Sequence, residues 1–138
     1  MHSYRTGFVV KILNHKYTIL VALLILWLTL GRPPRPPKAF YLWEHSDKIV
    51  HAIMFGLLFF AASLDWFLRH RKKRPLLKNG VFTEIFAWCA LAGAVIELVQ
   101  PSVGRSNDLF DFIADVAGIV VAWLLTPSIL RLLGLKGE

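Results

Sequence analysis

The sequence predicts an all-α integral membrane protein: a bundle of four transmembrane helices with both termini in the cytoplasm. Three observations lead there. The chain is 56% apolar over 138 residues, with a mean hydropathy of +0.54, more apolar than soluble domains usually are. The excess falls into four blocks, each about long enough to cross hydrocarbon once its charged margins are included. Lys and Arg divide unequally between the two sides that four spans create. Eleven lie before the first block, in the middle loop and in the tail, against five in the other two loops. The richer side faces the cytoplasm.

The elements follow in order. Residues 1–16 form a cytoplasmic lead-in carrying Arg5, Lys11 and Lys16. The first apolar run, 17–30, is short for a span and needs residues from about Phe8, with Lys11 and Lys16 reaching towards headgroups. Tyr17 and Trp27 suit opposite interfaces. Arg32-Pro33-Pro34-Arg35-Pro36-Pro37 then breaks the helix and stiffens the chain. It is a poor cleavage site, so the first block is expected to be retained. Phe40, Tyr41 and Trp43 suit the interface. A second helix starts near Asp47, with Ser46 or Asp47 as its cap, and runs to Leu68, with Asp65 near its far end, expected as a surface residue reaching the headgroups or as a pairing residue. The basic loop 69–78 leads through Asn79-Gly80 into a third helix over 81–99. There Ala90, Ala92, Gly93 and Ala94 permit close packing. Gln100-Pro101 ends it. The fourth helix runs from near Asp108 to about Leu125, where Thr126-Pro127 bends or ends it. Residues 17–126 thus make one transmembrane domain. The tail, 127–138, is cytoplasmic, and its Leu-rich stretch with Arg131 suits an amphipathic interface helix.

The net charge of +7 is explained by topology and anionic lipid, and no nucleic-acid module accompanies it. The single Cys89 lies in an apolar run and reads as a small hydrophobe.

The polar residues inside the blocks are not scattered. Asp47, Lys48 and His51 open the second helix, Glu97 and Gln100 close the third, Arg105 sits in the loop, and Asp108, Asp111 and Asp115 open the fourth. The topology gathers all of them at the outer ends of helices. Asp47 and His51 share a helix face, as do Asp108, Asp111 and Asp115. Asp115 lies about 10 Å into the fourth helix, too deep to face lipid as a bare carboxylate. The expectation is an outward-open polar cleft between the second, third and fourth helices, with Gly118 allowing close packing one turn below Asp115. A structural reading competes with it: Asp47 and Asp108 as caps, Lys48 and Arg105 on lipid phosphates, His51 on a carbonyl. Glu97, Asp111 and Asp115 resist that reading, because carboxylates inside spans are costly to bury.

The set resembles the VanZ-like family of small membrane proteins, named for a teicoplanin-resistance protein. The resemblance rests on Asp47-Lys48 with His51, then Glu97, Gln100, Pro101, Gly104-Arg105, Asp108, Asp111 and Gly118, over about 43–123. It implies a role in the cell envelope without an established reaction. Where the family often has asparagine, this chain has Asp115.

The leading expectation is an envelope protein of the bacterial inner membrane whose cleft binds or processes a lipid, or a glycan-linked lipid, by its headgroup. Catalytic candidates are His51, Glu97 and Asp111, since imidazole and carboxylate can exchange a proton. Lys48, Gln100, Arg105 and Asp115 would bind substrate, with Asp47, Asp108 and Gly118 as caps or support. No cofactor is expected; a divalent metal on histidine and carboxylates is the lesser alternative. The competing functions are a structural or regulatory subunit docked on a larger membrane complex through Ala90, Gly93 and Gly118, and a proton-coupled transporter working as a homo-oligomer.

Overall fold

A computed structural model describes residues 14–31, 46–70, 79–104 and 108–135. Among them the regular structure is helical: α1 (Lys16–Leu30), α2 (Ser46–His70), α3 (Asn79–Val99), a 3-10 turn (Gln100–Val103) and α4 (Leu109–Leu132). Three stretches, Ser46–His70, Gly80–Val103 and Leu109–Leu132, are long and apolar enough to cross a membrane. Helices suit that setting because each peptide group finds its hydrogen bond within its own segment. The described α1 has 15 residues, about 22 Å at 1.5 Å per residue, short of a 30 Å hydrocarbon core. Of the residues from Phe8 expected to lengthen it, Asn14 and His15 form a turn before the helix and 8–13 lie outside the described residues, as do Phe40, Tyr41 and Trp43.

The helix α2 is the centre of the bundle. It packs most extensively on α4 and also touches α1 and α3. Its buried face carries Met54, Phe55, Leu58 and Phe59, which meet Ile25 of α1, Phe82, Cys89 and Ile96 of α3, and Ile119 of α4. Aromatic rings fill the middle. Phe59 stacks on Trp123 at 6.1 Å between centroids and meets Phe82 edge-on at 5.7 Å. The outside of the bundle is apolar: Leu98, Leu124 and Leu132 are more than 70% exposed. Inside lie His51, Asp65, Glu97, Gln100, Asp111 and Asp115. Apolar groups outside and ionisable groups inside is the arrangement lipid favours.

The α2–α4 crossing is close because Gly118 has no side chain. A Cβ there would collide with the backbone of Ala52, and one on Gly56 would press on the Gly118 carbonyl at 3.1 Å. The small residue therefore lets two backbones meet.

Two expectations change. The fourth helix does not stop at Thr126-Pro127 but continues unbroken to Leu132, with Leu130 buried. Pro127 lacks one amide donor, and the Thr126 hydroxyl bonds the Ala122 carbonyl at 2.6 Å beside it, a local adjustment that helices in lipid tolerate. Asp65 is not a surface residue reaching for headgroups. It is buried, and its Oδ2 accepts from the Thr18 amide at 2.8 Å and the Thr18 hydroxyl at 2.7 Å. The free amides at the start of α1 need acceptors, and none comes from a side chain at its N-cap, His15. An acid from the neighbouring helix supplies it.

Candidate functional site

The polar residues converge at the end of the bundle opposite Asp65. Three helix ends meet there, and the short link between α3 and α4 sets their spacing. Pro101 stands in the first turn of the 3-10 segment. Gly104 follows with φ +80°, a left-handed conformation that closes the turn through its amide on the Gln100 and Pro101 carbonyls. Side-chain-bearing residues rarely adopt that conformation. Asp108 then caps α4, its carboxylate accepting from the Phe110 amide at 2.9 Å. The cap fixes where Asp111 and Asp115 point.

Lys48 bridges the mouth of the cluster. Its Nζ lies 3.0 Å from Asp108 Oδ2 and 3.3 Å from Asp111 Oδ1. The Phe110 amide and the Lys48 ammonium hold the Asp108 carboxyl below the usual carboxylate range. Deeper, the two nitrogens of His51 face different partners. Nδ1 is 3.0 Å from Asp115 Oδ1 and 4.0 Å from Glu97 Oε1. Nε2 is 4.0 Å from Asp111 Oδ2. The other Glu97 oxygen accepts from the Asp108 backbone amide at 3.4 Å, tying α3 to the start of α4. Glu97 Oε1 and Asp115 Oδ2 are buried without a hydrogen-bond partner among the described residues. Below His51, one and two turns along α2, Phe55 and Phe59 are fully buried and close the floor. Gly93 of α3 leaves the room that Asp115 occupies: a Cβ there would stand 3.0 Å from Asp115 Oδ2.

The structure brings together Lys48, His51, Glu97, Asp108, Asp111 and Asp115. Gln100 is buried at the start of the 3-10 turn, and Gly118 lies one turn below Asp115 at the helix crossing. Asp47 departs from expectation. It does not join His51 on the buried face; its side chain is 60% exposed and approaches Lys48 only at 3.9 Å. Four residues on a 3.6-residue helix share a face only roughly, and Lys48, three before His51, takes the inner place. Asp47 does accept from the Lys48 amide at 2.9 Å, satisfying one free donor of the first turn. Arg105 lies outside the described residues. For Asp65 the sequence leaves a surface or a pairing role open; the structure gives the pairing and its partner, Thr18, which a single acid near the end of a long apolar helix does not name.

Chemically, the cluster has an imidazole held against a carboxylate, able to move a proton, and buried oxygens able to hold a cation or accept hydrogen bonds. His51, Glu97 and Asp115 each offer one ligand atom within 4.8 Å of the others.

A family model described as VanZ/LLP1 matches residues 7–131. That is most of the chain and includes all of α1, so the chain belongs to the VanZ/LLP1 family, and with its three spanning-length helices it is a membrane protein. Neither the curated proteins nor the solved structures give a match.

Proposed function

Starting from membership of the VanZ/LLP1 family, we propose that the protein binds, or acts on, the headgroup of an envelope lipid or glycan-linked lipid at the outer face of the bacterial inner membrane. The observation that carries this reading is the buried His51–Asp115–Glu97–Asp111 cluster at one end of the bundle, closed beneath by Phe55 and Phe59. On this reading the cluster lies at headgroup depth, with Phe55 and Phe59 between it and the middle of the bundle. Lys48 at its mouth meets an anionic group, His51 and the carboxylates meet hydroxyls, and His51 is the group placed to take up or release a proton. An apolar groove of about 530 Å³ runs between α2 and α4 from Ile49, the residue after Lys48, down to Ile129. It has the character needed to take an acyl chain.

The competing readings have less support. The small residues offered for docking are engaged within the chain: Gly118 against Ala52, Gly93 against Asp115 and Phe55, Ala90 against the core. The aromatic floor below His51 opposes a proton path through the bundle.

The orientation rests on the division of Lys and Arg, with both termini cytoplasmic. Cysteine labels at Ser3, Lys73 and Lys136 should react only from the cytoplasm, and labels at Arg35 and Asn107 only from outside. Outside labelling at position 73 would reverse the placement. The function is tested by untargeted lipid profiling of a deletion strain. A specific envelope lipid or lipid-linked glycan should accumulate or disappear and be restored by the wild-type gene; an unchanged profile under several growth conditions overturns the reading.

A further inference from the structure

Glu97 and Asp115 are more than nine-tenths buried, yet each leaves one oxygen without a hydrogen-bond partner among the described residues. Both carboxylates already use their other oxygen: Glu97 on the Asp108 amide, Asp115 on His51. The Glu97 oxygen left over faces His51 Nδ1 at 4.0 Å. Lys48 does not answer this excess of acceptors, because its ammonium is spent on Asp108 and Asp111 nearer the mouth. Two buried carboxylates side by side in a low-dielectric interior call for compensating positive charge.

We propose that His51 Nδ1, Glu97 and Asp115 bind one divalent transition-metal ion of the manganese or zinc class at the closed end of the cleft. The sorting of the imidazole supports this. Nδ1 points at the two carboxylates, whereas Nε2 points at Asp111 Oδ2, 4.0 Å away. At 4.0 Å that contact is not a hydrogen bond, but it sets a carboxylate on the side of the second nitrogen, where metal-binding histidines commonly have their orienting partner. The donor set of one imidazole and two carboxylates suits manganese or zinc. The charge also closes: two carboxylates and a neutral imidazole around a dication sum to zero, as burial requires. The His51–Asp115 separation of 3.0 Å matches adjacent ligands on one ion, given metal–ligand distances of about 2.0–2.2 Å. Three protein ligands leave coordination positions for water or an oxygen of a bound molecule. The inference goes beyond the lipid reading and does not require it.

The test uses the full chain, purified without chelator, freed of any histidine tag and reconstituted in phosphatidylcholine nanodiscs. Titration with Mn2+, followed by loss of the free-ion paramagnetic resonance signal, should saturate at one ion per chain. Pulsed resonance on the bound ion should show coupling to an imidazole nitrogen. Glu97→Gln and Asp115→Asn, near-isosteric changes, should each weaken binding at least tenfold and His51→Ala should abolish the nitrogen coupling, with about a ten- to hundredfold loss for Asp111→Asn behind the ring. Asp65→Asn, a buried acid at the other end, should bind as wild type. No saturable Mn2+ uptake by the wild type, or wild-type binding by both Glu97→Gln and Asp115→Asn, overturns the proposal. Should those variants aggregate, the wild-type spectrum decides: bound Mn2+ without nitrogen coupling also overturns it. A saturable metal site with an unchanged lipid profile would remove the lipid reading and leave this one standing.

Discussion

The two ends of the bundle each bury an acid, and they do so on opposite terms. At one end Asp65 meets the Thr18 amide and hydroxyl, and no oxygen of Asp65 is left buried without a partner. Arg69, next to it on the helix, bonds the Asp65 carbonyl and approaches His15. This is a pin: one carboxylate caps the start of a neighbouring helix. At the other end four carboxylates, Glu97, Asp108, Asp111 and Asp115, share Lys48 and His51, and two buried oxygens have no partner among the described residues. Burial of an acid is therefore no sign of function by itself. What separates the two ends is whether the donors around the acid are sufficient for it.

The comparison can be broken most directly at the polar end. His51→Ala, Glu97→Gln and Asp111→Asn should abolish complementation of a deletion phenotype while leaving membrane abundance near normal. Arg105→Lys, which keeps the charge but loses the two-pronged guanidinium contact, should do the same. Full complementation by all of them would remove the distinction. Loss of the protein itself would make the polar end a second structural pin.

The next effect falls on stability. Gly118→Ala puts a methyl group into the Ala52 backbone and forces α2 and α4 apart, at a cost of about 1–3 kcal/mol for an overpacked contact. It should lower the melting temperature in detergent and reduce abundance. Asp65→Ala leaves the α1 amide and hydroxyl without their acceptor, worth about 1–3 kcal/mol for buried polar groups. Its complementation should fall only as far as its abundance does, and failure to complement at normal abundance would mean that the two ends are not different in kind.

The smallest effect is electrostatic. The Phe110 amide and Lys48 depress the Asp108 carboxyl, so the folded form holds its proton less readily than the unfolded chain. The stability this supplies is present above the unfolded value and is lost as the pH falls through the folded one, that is, below about pH 4. Asp108→Asn keeps an acceptor for the cap but not the charge. Between neutral pH and pH 3 its melting temperature should fall less than that of the wild type; parallel curves would show that Asp108 acts as a cap alone.

Much of this was open to reading along the chain. Apolar blocks divided by Pro33-Pro34, Asn79-Gly80 and Gln100-Pro101 announce helices, since each break removes a donor or frees the backbone. Acids and bases at fixed offsets, Lys48 to His51 and Asp111 to Asp115, announce a shared depth, because a helix advances a constant distance per residue. The resemblance to the family is read from the same residues in the same order, and the family model over residues 7–131 shows the membership. Those features are local, so the sequence by itself determined them. The tertiary structure decided whatever depends on what stands opposite. It turned Asp47 outward and Lys48 inward, gave Asp65 the first turn of another helix to cap, and carried α4 through Pro127. It also left Glu97 and Asp115 each with an oxygen that no described residue claims. The reason is physical: the state of a buried polar group is set by the partners within about 3 Å of it, and those partners come from helices that the chain order does not place side by side.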